Sequence, residues 1–151
     1  PGATAVPSGN AAAAQVALAL DPALGLDAAV MAFGTNDTNL LYFSPDPSLF
    51  DAQIANIADS VAENASALAE AGLTVYVATA PPRRSTVYGG YGFNERIVAF
   101  NAELRRRFAA SRIVEFYDGF YSDEAELADG VHLNERGQQK RAWRAFQALI
   151  R

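Results

Sequence analysis

Two short runs, the continuously apolar Ala28 to Phe33 and the mostly apolar Leu73 to Ala78, constrain this chain more than any other feature. A segment with no polar face has to be covered on both sides, and runs this short suit buried strands better than buried helices. The first run stops at Gly34 and reads as a central strand; the second is followed by Pro81-Pro82. Between them a helix is expected from about Ser48 to Ala71, with Ile54, Ile57, Val61 and Leu68 along one face and Gly72 ending it. An alanine-rich helix from Asn10 to Leu20 precedes the first run and stops at Asp21-Pro22. Further on, helices are expected from about Asn94 to Ala110 and from about Asn134 to Ile150, with a short strand from Arg112 to Tyr117. Strands alternating with long helices imply right-handed crossovers, hence an α/β fold of three α/β/α layers around a mostly parallel sheet. There is no repeat or linker, so residues 1–151 are expected to form a single domain.

Composition narrows the function classes. Half of the 151 residues are apolar, enough for one core, and the net charge of -5 opposes polyanions, so nucleic-acid binding would need a local basic patch. The one candidate, Arg105-Arg106-Arg107, interrupts the stripe Phe100, Leu104, Phe108 and is expected to fill the solvated side of that helix. The absence of cysteine excludes disulfides and thiolate chemistry, and with a single histidine no ordinary catalytic zinc site can be built, so neither metal nor cofactor is expected. No apolar stretch approaches the ~20 residues of a membrane span, because Asp21, Asp27, Asn36 and Asp37 punctuate the richest region. A soluble protein is expected.

In open parallel sheets ligands bind beyond the carboxyl ends of the strands. After the first run come Gly34-Thr35-Asn36-Asp37. An Asn side chain there can donate to an oxyanion, an interaction contributing on the order of 10²–10³ in rate; a plain turn with Asn36 or Asp37 as a cap is the other reading. After the last short strand come Asp129-Gly130-Val131-His132, containing the only histidine. A neutral imidazole is the natural general base near pH 7, and Asp129 can orient it by accepting from Nδ1; a turn followed by a partly buried aromatic filler is the alternative. The loop from Arg83 to Phe93 leaves the second strand on the same side, and its Tyr88 and Tyr91 are candidates to line an acyl or sugar pocket, unless it is an ordinary connection.

Gly34-Thr35-Asn36-Asp37 resembles the GxND block of the SGNH (GDSL-like) hydrolases, and Asp129-Gly130-Val131-His132 resembles their DxxH block, in the family's order. Pro1-Gly2-Ala3-Thr4 resembles the family's glycine block, with Gly9 as the fallback. The resemblance implies a flavodoxin-like sheet and a serine ester hydrolase working through an acyl-enzyme. His132 would be the general base, Asp129 its orienter, Asn36 and the Gly2 backbone N–H the oxyanion donors, and Gly34 and Asp37 supporting residues. Substrates would be esters of small molecules, lipids or carbohydrates, and family habit points to an extracellular or periplasmic location.

The family's Gly-Asp-Ser block, which carries the nucleophile, does not occur in the sequence, nor does a Gly-x-Ser-x-Gly elbow. Ser8 is the least unsuitable substitute. Because flavodoxin-like sheets run 2-1-3-4-5, a chain opening at the glycine block is expected to lack the first strand-helix-strand portion and to leave its own first strand as an edge. The serine is then expected on roughly thirty to forty residues upstream of Pro1 or on a second chain. The rival reading is a non-catalytic glycan- or protein-binding domain on the same scaffold. A nucleotide-binding module is disfavoured, since no Gly-rich phosphate loop follows a strand.

Overall fold

Period-two alternation divides the side chains of the apolar runs between two cores, and the layers follow from that division. The computed structural model describes residues 12–41, 47–83, 93–119, 126–129 and 132–151. Along these residues run helix α1 (Ala12–Ala19), strand β1 (Ala28–Met31), α2 (Thr35–Leu41), α3 (Phe50–Glu70), β2 (Thr74–Ala78), α4 (Phe93–Arg107), β3 (Ile113–Val114) and α5 (Glu135–Leu149). The strands form one parallel sheet in the order β1-β2-β3, with Met31 beside Val77 and Ala78 beside Val114. Consecutive order with parallel pairing matches strands 3, 4 and 5 of a flavodoxin-like sheet.

On one face, Met31, Val77 and Ala80 meet Ile54, Ile57, Val61 and Leu68 of α3 and Ile97, Phe100 and Leu104 of α4. Both crossover helices lie on this side, as two same-handed crossovers stepping in one direction require. On the other face, Ala78, Val114 and Phe116 pack with Val30, Tyr76 and the Ala145 and Ala148 methyls of α5. The molecule therefore has the expected three layers, with unequal cores. Small side chains on α5 leave Val30 partly exposed, so β1 is not covered on both faces as its composition suggests; only Met31 is fully buried. Among the described residues β1 pairs with β2 alone and is an edge, not a central strand.

Three local departures have physical causes. Gly34 to Asp37 is not a plain turn but leads into helix α2, where Thr38 N–H donates to the Gly34 carbonyl at 2.9 Å. Strand β3 ends at Val114 instead of reaching Tyr117, because the next N–H groups turn to side chains: Phe116 and Tyr117 donate to Thr79 Oγ1, and Tyr117 and Asp118 to Glu115 Oε1. Arg107 is not a solvating residue. Its side chain is only 12% exposed and ties α4 to α3 through Asp59 at 2.7 Å and the Ala55 carbonyl at 3.2 Å, while Glu103 completes the cluster. Arg105 and Arg106 pair with Glu115 and Glu103, so the run supplies structural ion pairs.

Candidate active site

The Asp129–His132 turn is held at both ends. Ala128 N–H donates to the His132 carbonyl at 2.8 Å, Asn134 N–H to the Glu126 carbonyl at 3.0 Å, and Leu127 and Leu133 form an antiparallel bridge. Asn134 then caps α5 by accepting from Gly137 N–H at 3.0 Å. Gly137 is required by proximity: a Cβ there would lie 2.4 Å from the Glu126 carbonyl oxygen. Glu126, almost fully buried, receives the Lys140 ammonium at 2.9 and 3.1 Å. A buried carboxylate of this kind is tolerated only with such a partner.

Within the turn, Asp129 grips His132 twice. Oδ1 accepts the His132 backbone N–H and Oδ2 lies against Nδ1, each at 2.7 Å. Against a carboxylate acceptor Nδ1 has to carry the hydrogen, which in the neutral ring leaves Nε2 as a lone-pair acceptor. The pair is open to water, with the imidazole side chain 75% and the Asp129 side chain 55% exposed. An imidazole held in this way can accept a proton at Nε2 while its Nδ1 stays fixed by the carboxylate.

Asn36 stands on the first turn of α2, at the carboxyl end of β1. Gly34 places it there: its φ is +95°, and a Cβ would sit 2.2 Å from Phe100 Cζ, so only glycine lets the backbone pass over that buried ring. Asn36 and His132 line one cleft of about 210 Å³, with Thr35, Pro81, Arg83, Phe116, Gln138 and Arg141 also on its wall. Two segments remote in sequence thus meet at the mouth of the sheet. Asp37 is buried on the same turn.

The segments that carry Pro81, Arg83 and Phe116 into the cleft wall are held by polar groups that sequence reasoning did not single out. Asn101 of α4 pairs both amide atoms with Ala80, at 2.7 and 2.9 Å, and Asn94 does the same with Arg83, at 2.9 Å each way. Two asparagines seven apart lie on one helical face, so α4 fixes residues 80–83 in the cleft wall. The buried Thr79 hydroxyl donates to Glu115 at 2.6 Å while accepting from two backbone N–H groups. Burial alone would raise the Glu115 carboxyl, but hydrogen bonds from Thr79, Arg105 and the Tyr117 and Asp118 N–H groups outweigh it and hold the group below its ordinary value.

Arg141, Gln138 and Arg83 were also not foreseen. The first two lie three apart on one face of α5, and that spacing is the only signal of them in the sequence. Gly2, Gly9 and Ser8, the middle residues Gly130 and Val131, and the loop tyrosines Tyr88 and Tyr91 lie outside the described residues. Of the serines that are described, Ser48, Ser60, Ser66 and Ser111, none lines the cleft. Among the described residues no group of three or more His, Cys, Asp or Glu is placed to hold a metal ion, and no helix is long and apolar enough to cross a membrane.

The chain matches the model of the GDSL-like Lipase/Acylhydrolase family over residues 1–140. Neither the curated proteins nor the solved structures contain a significant match.

Proposed function

The chain belongs to the GDSL-like lipase/acylhydrolase family, and from that premise we propose that it is a single-domain serine carboxylester hydrolase with His132 as general base. The observation that carries this reading is the Asp129–His132 pair opening into the cleft it shares with Asn36. Family membership by itself supports hydrolase chemistry; the ester specificity and the residue roles belong to the proposal.

In this mechanism Nε2 of His132 takes the proton of a serine hydroxyl as its oxygen attacks the ester carbonyl. Asp129 keeps the imidazole in the tautomer that can accept it and stabilises the imidazolium that forms. The Asn36 side-chain amide, with the Gly2 backbone N–H, donates to the oxyanion of the tetrahedral intermediate. The alcohol leaves with the proton held by His132, and water, deprotonated by the same base, releases the acid and restores the serine. The family's Gly-Asp-Ser block is absent from the sequence and no described serine lines the cleft, so the nucleophile is assigned to a segment outside these residues, preceding them or on a second chain. Tyr88 and Tyr91 are proposed to border the substrate.

The test is hydrolysis of 4-nitrophenyl acetate and longer esters by the whole protein containing this chain. His132→Ala and Asp129→Asn should each lower kcat by on the order of 10²–10⁴. Undiminished turnover in His132→Ala refutes the assignment of the base. The missing serine block also favours a second reading, a glycan- or protein-binding domain on the same scaffold. Covalent labelling of the whole protein by a fluorophosphonate rules that reading out, and a silent probe favours it.

A further inference from the structure

Arg141 stands where two clefts meet. One is the cleft holding His132 and Asn36. The other, also about 210 Å³, lies between β1 and α5 and is lined by Val30, Phe116, Gln138, Arg141, Ala142 and Ala145. Phe116, Gln138 and Arg141 form the wall common to both. The guanidinium stacks 5.5 Å from the centroid of the Phe116 ring, which is itself 2% exposed and therefore a fixed platform.

What sets Arg141 apart is that it is partly buried and yet, among the described residues, has no anion, whereas Arg112, Arg136 and Arg151, which also lack one, are exposed. Arg105, Arg106 and Arg107 are each neutralised by carboxylates, and Arg144 is bound to the carbonyls of Glu115, Asp118 and Gly119. Among the described residues Arg141 makes no ion pair or hydrogen bond, although burial strips it of water enough to lower its pKa. Among the described residues no carboxylate lies on the wall of the cleft it faces; the nearby Asp129 carboxylate is engaged by His132. In a protein of net charge -5, a cleft with one partly desolvated fork of N–H donors that no described carboxylate meets is a specific arrangement.

We infer that Arg141 is a specificity-determining residue that binds an anionic group, of carboxylate type, on the ester substrate, so that the enzyme selects charged over neutral esters. The inference rests on the ester-hydrolase reading of the same cleft. Phe116 backs the guanidinium, Gln138 offers an amide beside it, and Ala32, Pro81 and Leu133 of the same cleft take the carbon chain. The ester carbonyl then lies toward His132 and Asn36.

The test compares monomethyl glutarate with methyl pentanoate, esters of matched length differing in a terminal carboxylate, hydrolysed by the whole protein. The ratio of their kcat/KM values should favour the anionic ester on the order of 10- to 100-fold, as fits a charge-assisted hydrogen bond. Arg141→Gln should abolish the preference by acting on the anionic ester alone, and Arg141→Lys should restore part of it. An unchanged ratio in Arg141→Gln overturns the inference while leaving the hydrolase reading intact. A second readout is independent of turnover: glutarate binding followed by calorimetry and by the His132 imidazole NMR signals. Binding that weakens in Arg141→Gln supports the anion site even if neither ester is cleaved, the outcome that counts against the hydrolase reading. Failure of glutarate to bind the unaltered protein overturns the inference.

Discussion

Replacing Gly34 by alanine tests how the fold delivers Asn36 to the cleft. The added methyl would lie 2.2 Å from Phe100 Cζ and 2.6 Å from Cε1, against about 3.5–4.0 Å for a favourable carbon contact. The ring cannot simply swing away, because Phe100 is 0% exposed and packed against α3 and the sheet. Forcing such a core to reorganise costs about 1–3 kcal/mol. The backbone adds a separate cost: φ at this position is +95°, where a residue with a Cβ is strained by about 1–3 kcal/mol. Together the substitution should cost about 2–6 kcal/mol, a large part of the 5–15 kcal/mol that holds a domain of this kind. Urea unfolding followed by circular dichroism measures it. Phe100→Leu separates the two contributions: in the double mutant the steric share should be recovered as a favourable coupling of about 1–3 kcal/mol, while the backbone share persists. A loss below about 1 kcal/mol in Gly34→Ala, or strict additivity in the cycle, refutes the reasoning.

Thr79→Val removes a hydroxyl that serves one acceptor and two donors and should cost about 2–4 kcal/mol, seen as a lower urea midpoint at an unchanged slope; a smaller shift would mean that the Phe116 and Tyr117 N–H groups find other partners. Glu115 is held below its ordinary value in the folded state, so its stabilisation is complete above the unfolded carboxyl value of about 4.3 and is lost as pH falls through the lower folded one. The melting temperatures of the native protein and Glu115→Gln should therefore differ most above about pH 5 and converge toward pH 3; a constant gap across that window would show that the carboxylate's charge is not what matters.

Much of this arrangement is legible in the amino-acid order because it is local. The apolar runs at residues 28–33 and 73–78 announce β1 and β2, and Asn134 starts α5 where a cap is expected. Asp129 and His132 are also a local pair, so their contact follows from a spacing of three along a turn. What escaped notice depends on partners distant in sequence. Helix α2 is built from Thr, Asn and Asp, poor helix formers, and its Gly34 start depends on Phe100 beneath it. The two-residue length of β3 depends on Thr79 and Glu115 claiming the N–H groups beyond it. Arg141 looks like any exposed position of an amphipathic helix until α5 is laid against Phe116.

The Asp129–His132 turn carries its alignment within itself. Bridged at Leu127 and Leu133 and capped onto α5, it needs no contact with the far end of the chain to keep Nδ1 against the carboxylate. Asn36, about a hundred residues earlier, is placed by a different strand. On warming, the imidazole and its carboxylate should stay together after the walls of the cleft have begun to part, since low-stability openings separate elements before they dissolve a bridged turn. Loss of the proposed activity would then come from a widened gap between two intact halves, and the stiffness of the β1–β2 pairing, more than that of the turn, should set the temperature at which the cleft comes apart.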